Sequence, residues 1–110
     1  MIFDRDGNIS IITQERATIV ELAKKLQILY SRFKNDNIIL NLTSLRFLST
    51  RDVVEFLQLS NTHRSAKHSF VLVSNKIDLD DIPEELVIVP TLQEAYDIIE
   101  MEDMERNLGF

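Results

Sequence analysis

Two adjacent hydroxyl residues, Ser49 and Thr50, are the side chains whose type and position best suit chemistry or binding. They follow a short apolar run, Ile38–Leu40, and a spacer, and they precede a helical pattern. A hydroxyl at such a place can cap a helix, accept a phosphoryl group or contact a partner protein. The start of a helix also exposes free backbone N–H groups and a partial positive charge. The segment Ser49–Asp52 is therefore predicted to form the working surface, at the carboxyl rim of a small α/β sheet.

The elements before this segment are a hairpin, a helix and a buried strand. Strands are predicted over Met1–Asp4 and Ile9–Thr13, with a turn at Asp6–Asn8 that contains a glycine. Apolar residues then recur at spacings of three and four from about Glu15 to Lys34, which predicts a long amphipathic helix. The uninterrupted apolar run at Ile38–Leu42 is typical of a strand that is buried on both faces.

The elements after this segment continue the alternation of helix and strand. A helix capped by Ser49 or Thr50 is predicted to run to about Ala66, and it is followed by a strand over Phe70–Val73. An acidic, irregular stretch then leads to a third buried strand at Val87–Val89. A capping box at Thr91–Glu94 opens the last helix.

This order predicts one α/β domain over residues 1–110. We expect a mixed, mostly parallel sheet of four to five strands, with helices packed against it, because helix-linked strands pair in parallel and the opening hairpin is antiparallel. Residues from about 102 to 110 are predicted to be a polar C-terminal extension that prolongs the last helix.

Charge is distributed unevenly along this chain, whose net charge is −6. Eleven acidic residues and one basic residue, Arg106, lie between Ile77 and Phe110. Nucleic acid binding requires a basic surface, so nucleic acid is not an expected ligand. The asymmetry fits either solvated helix faces or a bipolar surface that orients a protein partner.

The amino-acid composition limits which kinds of protein and which kinds of site are possible. The chain has no cysteine, so disulfides and thiolate metal sites are excluded. An apolar content of 45% favours a folded core. No apolar run approaches the roughly 20 residues that span a membrane, and a cytoplasmic protein without membrane contact is expected.

Known catalytic and metal-binding patterns do not fit this sequence. His63 and His68 are five residues apart, whereas metal-binding pairs are usually four apart, and we interpret both as favourable to the dipole at a helix C-terminus. The acidic run Asp78–Asp81, with Glu84 and Glu85, lacks the glycine and alternate acids of a calcium loop. The sequence also has no glycine-rich phosphate loop. We therefore predict no catalytic residue, no metal and no cofactor.

The chain resembles a STAS domain, the fold of bacterial anti-sigma factor antagonists and of sulfate-transporter tails. The family pattern is an apolar strand, a spacer that ends in an apolar pair, and then Asp-Ser-(Ser or Thr)-Gly at the start of a helix. Ile38–Leu42 fits the strand, Phe47–Leu48 fits the apolar pair after Leu45, and Ser49–Asp52 falls on the tetrad without a gap. The later segments Phe70–Val73 and Val87–Ala95 resemble the corresponding later elements.

The resemblance implies a regulatory interaction module without enzymatic activity. In antagonists of this family, a partner anti-sigma kinase phosphorylates the first serine of the tetrad, and Thr50 matches that position. Ser49 replaces the family aspartate and Asp52 replaces the family glycine, which points to a different partner. Thr50 is the first candidate phosphoacceptor and Ser49 the second. The predicted partner-binding residues are Ser49, Thr50, Arg51, Asp52, Glu55 and Gln58.

Alternatives remain at two places. Ser49 and Thr50 are also explained by helix capping alone or by an unmodified binding contact. The chain is alternatively a small nucleotide-binding protein or an accessory subunit of an enzyme or oligomer. At the tail, Met101 and Met104, with Leu108 and Phe110, either cover the last edge of the sheet or form an exposed docking or homodimer surface.

Overall fold

A five-stranded sheet organises the chain, as seen in a computed structural model that describes residues 1–16, 18–45, 48–77, 80 and 82–109. The strands are β1 (Ile2–Asp6), β2 (Ile9–Thr13), β3 (Asn37–Asn41), β4 (Phe70–Val73) and β5 (Val87–Val89). The helices in the described residues are α1 (Ile19–Leu29), α2 (Thr50–Val54), α3 (Leu57–Ser65) and α4 (Leu92–Asn107), and a 3₁₀ turn at Tyr30–Arg32 follows α1.

The strands lie in the sheet in the same order as in the chain, from β1 to β5. β1 pairs with β2 antiparallel, and β2 with β3, β3 with β4 and β4 with β5 are parallel. The predicted α/β class and the mixed sheet are confirmed. β3 is the central strand, so the chain that leaves it emerges in the middle of the carboxyl rim rather than at a border.

Each face of the sheet has its own apolar core. Ile38 and Leu40 of β3 pack on one face with side chains of α1, α2 and the segment that follows α2. Ile39, between them, faces the opposite core, which includes Ala95 and Ile99 of α4. Since neighbouring side chains of a strand point to opposite faces, this arrangement explains why every residue of Ile38–Leu40 is apolar and buried.

The opening hairpin forms as predicted, but β1 is longer than expected and reaches Asp6. A two-residue loop, Gly7 and Asn8, joins it to β2, and Gly7 has a φ of +59°. A glycine with positive φ at the first loop position is typical of a type II′ turn, which follows the twist of the strands. All of β1 is exposed, because it is the border strand.

The long predicted helix is shorter at both ends. α1 begins after Thr18, whose hydroxyl accepts a hydrogen bond from the backbone N–H of Glu21 at 3.2 Å. The helix tightens into a 3₁₀ turn at Tyr30–Arg32, since the N–H of Phe33 donates to the carbonyl of Tyr30. The apolar spacing extends beyond the helix because Phe33 stays in the core.

The prediction for β5 is wrong in one respect, since the strand is not fully buried. It is the second border strand, and only Val89 is buried, while Val87 and Ile88 are half-buried. A border strand has a neighbour on one side only, which the sequence of three apolar residues does not reveal. Among the described residues, no helix is both long and apolar enough to cross a membrane.

Candidate functional site

The loop between β3 and α2 carries the predicted working surface, and hydrogen bonds fix its first half. The Asn41 side-chain oxygen accepts from the N–H and the hydroxyl of Thr43, at 3.2 and 2.7 Å. From the neighbouring strand connection, Lys76 Nζ donates to the carbonyl oxygens of Thr43 and Leu45, at 2.7 and 2.6 Å. The ammonium group therefore holds the loop in one position above the carboxyl end of β3.

Buried leucines anchor the same loop from below. Leu42, Leu45 and Leu48 are all in the core, so the chain dips into the interior before and after the spacer. Arg46 and Phe47 lie outside the described residues. With Leu48 buried and Ser49 exposed, the next helix is forced to begin at the surface.

Ser49 is the N-cap of α2, as the sequence predicts, and it forms a complete capping box with Asp52. The Ser49 hydroxyl accepts from the Asp52 N–H at 3.1 Å, and the Asp52 carboxylate accepts from the Ser49 N–H at 3.1 Å. Asp52, which stands in place of the family glycine, thus has a local structural role. Thr50 is half-buried at the first helical position, and the described residues provide no hydrogen-bond partner for its hydroxyl.

The rest of the predicted partner face is solvent-facing. Ser49, Arg51, Glu55 and Gln58 are exposed, and Asp52 is half-buried. No ion pair or hydrogen bond to another described residue restrains the Arg51 or Glu55 side chain. Of the six predicted binding residues, four are thus exposed, and Thr50 and Asp52 are half-buried.

The predicted helix from the cap to about Ala66 is divided in two, which corrects the sequence interpretation. Near Glu55 and Phe56 the backbone hydrogen bonds span three residues instead of the four of an α-helix. The Glu55 N–H donates to the Asp52 carbonyl, and the Phe56 N–H donates to the Val53 carbonyl. This tighter turn directs the fully buried Phe56 into the core. A groove of about 340 Å³ lies beside α3, lined by Gln27, Tyr30, Gln58, Leu59 and Thr62.

His63, which we expected to stabilise a helix end by its charge, is instead a buried neutral side chain. It has no exposed surface, and burial lowers the pKa of its imidazole. The hydrogen bond to the Asp36 carbonyl and the Asp36 carboxylate oppose this lowering of the pKa, and electrostatic coupling to His68 adds to it. Its Nε2 lies 2.7 Å from the carbonyl oxygen of Asp36, which only accepts, so Nε2 carries the proton. Nδ1 then accepts from the Tyr30 hydroxyl at 2.6 Å.

Asp36 extends this polar cluster to the border hairpin, and the sequence did not identify it as a site residue. Its buried carboxylate accepts from Arg5 Nη2 and from the Ser10 hydroxyl, each at 2.8 Å. A cavity of about 280 Å³ adjoins it, lined by Phe3, Asp4, Arg5, Ser10, Arg32, Phe33 and Asp36. The Phe3 and Phe33 rings are stacked there with centroids 5.8 Å apart.

A second polar group at the same sheet end joins the strands to α4. Asn37 Oδ1 accepts from the Ser69 N–H at 2.8 Å, and Arg106 donates to the Ser69 hydroxyl at 3.1 Å and to Asp103. Arg64 of α3 pairs with Glu102 of α4 at 2.7 Å. These contacts hold the two helices across the end of the sheet opposite Ser49, so their role is to fix α4.

A sequence signal for His63 existed, since Phe56, Ser60 and His63 recur at spacings of four and three. That is the buried stripe of the segment, and all three residues have no exposed surface. No comparable signal marks Asp36, whose partners are distant in sequence.

The three described tail residues are exposed, so they do not cover the last edge of the sheet. Met101, Met104 and Leu108 are 49%, 54% and 71% exposed. Phe110, assigned to the same surface, lies outside the described residues. Within residues 1–16, 18–45, 48–77, 80 and 82–109, no group of three or more His, Cys, Asp or Glu side chains could hold a metal ion. Asp78, Leu79 and Asp81 of the acidic run are not among those residues.

Comparison with known proteins gives no family assignment. No protein-family model matches the chain, and no curated protein matches it either. The resemblance to STAS domains therefore stays a prediction that depends on the residues alone.

Proposed function

We propose that this chain is a STAS-like regulatory module that works by binding another protein and has no catalytic activity of its own. The observation that carries the proposal is the capped, partly exposed segment Ser49–Asp52, which follows the central strand β3. In STAS antagonists the equivalent position contacts the partner. In this proposal the protein is cytoplasmic and its partner is of the anti-sigma factor or kinase type.

Sheet topology supports binding at a surface rather than in a deep cleft. Ligand crevices in open α/β sheets form where the strand order reverses, because helices then diverge to opposite faces. Here the strand order runs in one direction from β1 to β5. The helices between β2 and β4 pack on the same core, and Arg51, Glu55 and Gln58 of this segment remain exposed.

The charged residues of that surface are suited to selecting a partner. Arg51 and Glu55 are one helical turn apart and exposed, and Gln58 continues the face to the rim of the groove beside α3. Exposed charges that make no internal contact are available to pair with a complementary surface, where they determine specificity and association rate.

Charge reversal tests this face without altering net charge. The double variant Arg51→Glu, Glu55→Arg should lose native partners in quantitative affinity capture. The matched control is Glu21→Arg, Lys25→Glu on α1, which exchanges exposed charges with the same spacing and should retain them. If both variants and the wild type capture the same set, the Arg51 face is not the binding surface.

In the proposal, phosphorylation of Thr50 is the switch. The hydroxyl lies at the first helical position, where a phosphate would add about −1.5 to −2 charges beside free N–H groups and Arg51. Asp52 is two residues away and half-buried, so the same phosphate would crowd its carboxylate and weaken the capping box. The modification would thus change both the charge and the local geometry of the surface.

Mass spectrometry of protein from its native cells tests the switch. A phosphorylated species should be present in wild type and absent in Thr50→Ala. Ser49→Ala distinguishes the second candidate acceptor, since it should retain the modification if Thr50 is the target. Exclusively unmodified protein under all growth conditions would refute the switch and leave the binding proposal intact.

A small nucleotide-binding protein is the second candidate, and the cavity next to Asp36 favours it. Arg5 and Arg32 line the same cavity as the stacked Phe3 and Phe33 rings, so this cavity has cationic and aromatic side chains together. A saturable rise in melting temperature with a nucleotide, lost in Arg32→Ala, would support this function. No shift with any nucleotide would refute it.

A further inference from the structure

The outer face of α4 has an apolar stripe that no described part of the chain covers. Three apolar residues recur at spacings of three and four, so they lie on one side of the helix: Met101, Met104 and Leu108. Asp97 lies on the same side, four residues before Met101. The residues that face the protein follow the same spacing and are Ala95, Ile99, Glu102 and Arg106. We call Met101, Met104 and Leu108 the α4 stripe.

Acidic residues border the α4 stripe on both sides. Glu100 precedes Met101 and Glu105 follows Met104, and both are exposed. In a heptad numbering with Met101 and Leu108 at a and Met104 at d, Glu100 occupies g and Glu105 occupies e. Glu94 and Asp97 add exposed carboxylates one to two turns earlier. The single basic residue of α4, Arg106, points inward to Ser69 and Asp103.

We propose that the α4 stripe binds an amphipathic helix of another protein that carries Lys or Arg on both sides of its own apolar stripe. Charge selects this occupant over a second copy of the chain. In helix pairs, residues at e and g of one helix face those of the other, so two copies would set glutamate against glutamate in either orientation. A basic helix places an opposite charge at each of these positions.

Contacts on the inward side of α4 hold the α4 stripe in place. Arg64 holds Glu102, and Arg106 holds Ser69, so α4 is fixed to α3 and the sheet by its inward side. A partner would therefore meet a preformed helix and would not have to order it. This inference does not depend on the proposed function at Ser49–Asp52, which lies after the opposite end of β3.

A designed peptide is the probe. A labelled three-heptad helix with Leu at a and d and Lys at e and g should bind the full chain, as measured by fluorescence anisotropy. The same peptide with Glu at e and g should not bind. Absence of binding by the Lys peptide at low ionic strength would overturn the proposal.

A variant that adds negative charge separates docking from simple electrostatic attraction. Met104→Glu makes the surface more acidic, so charge alone predicts tighter binding of the Lys peptide. Docking on the α4 stripe predicts binding that is weaker by about tenfold or more, because a central apolar contact is lost. Equal or tighter binding would overturn the proposal. Met104→Ser, which adds no charge, should weaken binding in the same direction and guards against a folding defect of the first variant.

A matched control and one further measurement complete the test. Ile28→Glu adds the same charge at a 78% exposed residue of α1 and should leave peptide affinity unchanged within about twofold. Sedimentation of the chain alone decides between occupants. A monomer supports the basic partner, whereas a dimer that dissociates in Met104→Glu assigns the α4 stripe to a second copy and overturns it.

Discussion

Acid should destabilise this protein through His63, because its ring is buried in the neutral form. Nε2–H donates to the Asp36 carbonyl and Nδ1 accepts from Tyr30, so each nitrogen already has the partner that a neutral imidazole requires. A second proton on Nδ1 would place a charge where no solvent reaches, and the Tyr30 hydroxyl would have to rotate from donor to acceptor. The fold thus favours the unprotonated ring.

The sign and size of the effect follow from the lowered pKa. In the unfolded chain His63 titrates near its usual pKa of about 6.5, and in the fold the pKa is lower. The unfolded state therefore binds more protons below neutrality. The stabilisation is complete above the unfolded value and is lost as the pH falls towards the folded value. The loss is at most about 1.4 kcal/mol per pH unit, which is roughly a tenth to a quarter of a stability of about 5–15 kcal/mol.

Urea unfolding at about pH 7.5 and about pH 5.5 measures this loss by circular dichroism. In His63→Gln, which has a lower stability at both pH values, the pH-dependent loss should be smaller by up to about 1.4 kcal/mol. His68→Gln is the matched control and should keep most of the loss, because burial is the larger cause of the pKa shift. Equal losses in wild type and His63→Gln would refute the buried neutral histidine.

Tyr30→Phe provides an independent check on the same group. At neutral pH it leaves a buried Nδ1 without a donor, at a cost of about 1–3 kcal/mol. It should also reduce the acid sensitivity, since the neutral ring loses the hydrogen bond that favours it over the charged form. A variant with unchanged acid sensitivity would show that the tyrosine hydroxyl does not bias the protonation state.

Three further predictions concern stability and are measured by chemical denaturation. Lys67 ends α3 with a φ of +70°, so Lys67→Gly should stabilise by about 0.5–1 kcal/mol, and a loss of stability would contradict the left-handed conformation. Ser49→Ala removes half of the capping box and should cost about 1 kcal/mol, whereas Thr50→Ala should change the free energy of unfolding by less than about 0.5 kcal/mol; equal costs would contradict the assignment of Ser49 as the cap. Asp36→Asn disturbs buried bonds to Arg5 and Ser10 and should cost about 1–3 kcal/mol, with a smaller cost for Arg5→Ala because that side chain is largely exposed; the reverse order would refute the buried node.

Local patterns predicted the elements that depend on neighbours in sequence. The strand at Phe70–Val73 has the predicted boundaries, and the caps at Ser49 and Thr91 open helices as expected, because caps act within three residues. The central place of β3 was also predictable from its continuous apolar run.

Features that depend on distant contacts could not be predicted in the same way. The partial burial of β5 results from its border position, which three apolar residues do not encode. Contacts at the candidate site also join residues that are distant in sequence. Lys76 bonds to the loop before α2 from more than thirty residues away, and Asp36 bonds to Arg5 of β1. The capping role of Asp52 was predictable, because it acts within three residues of Ser49.

The arrival of α4 at the very end of the sheet has a consequence for biosynthesis. Because the strands add in chain order, β1 to β4 can assemble while the ribosome is still translating the rest. The sheet face with Ile39, Val71 and Val73 then stays uncovered until residues 92–107 have emerged. Nascent chains that stop short of Thr91 would expose an apolar sheet surface, so they are the species that we expect chaperones to hold.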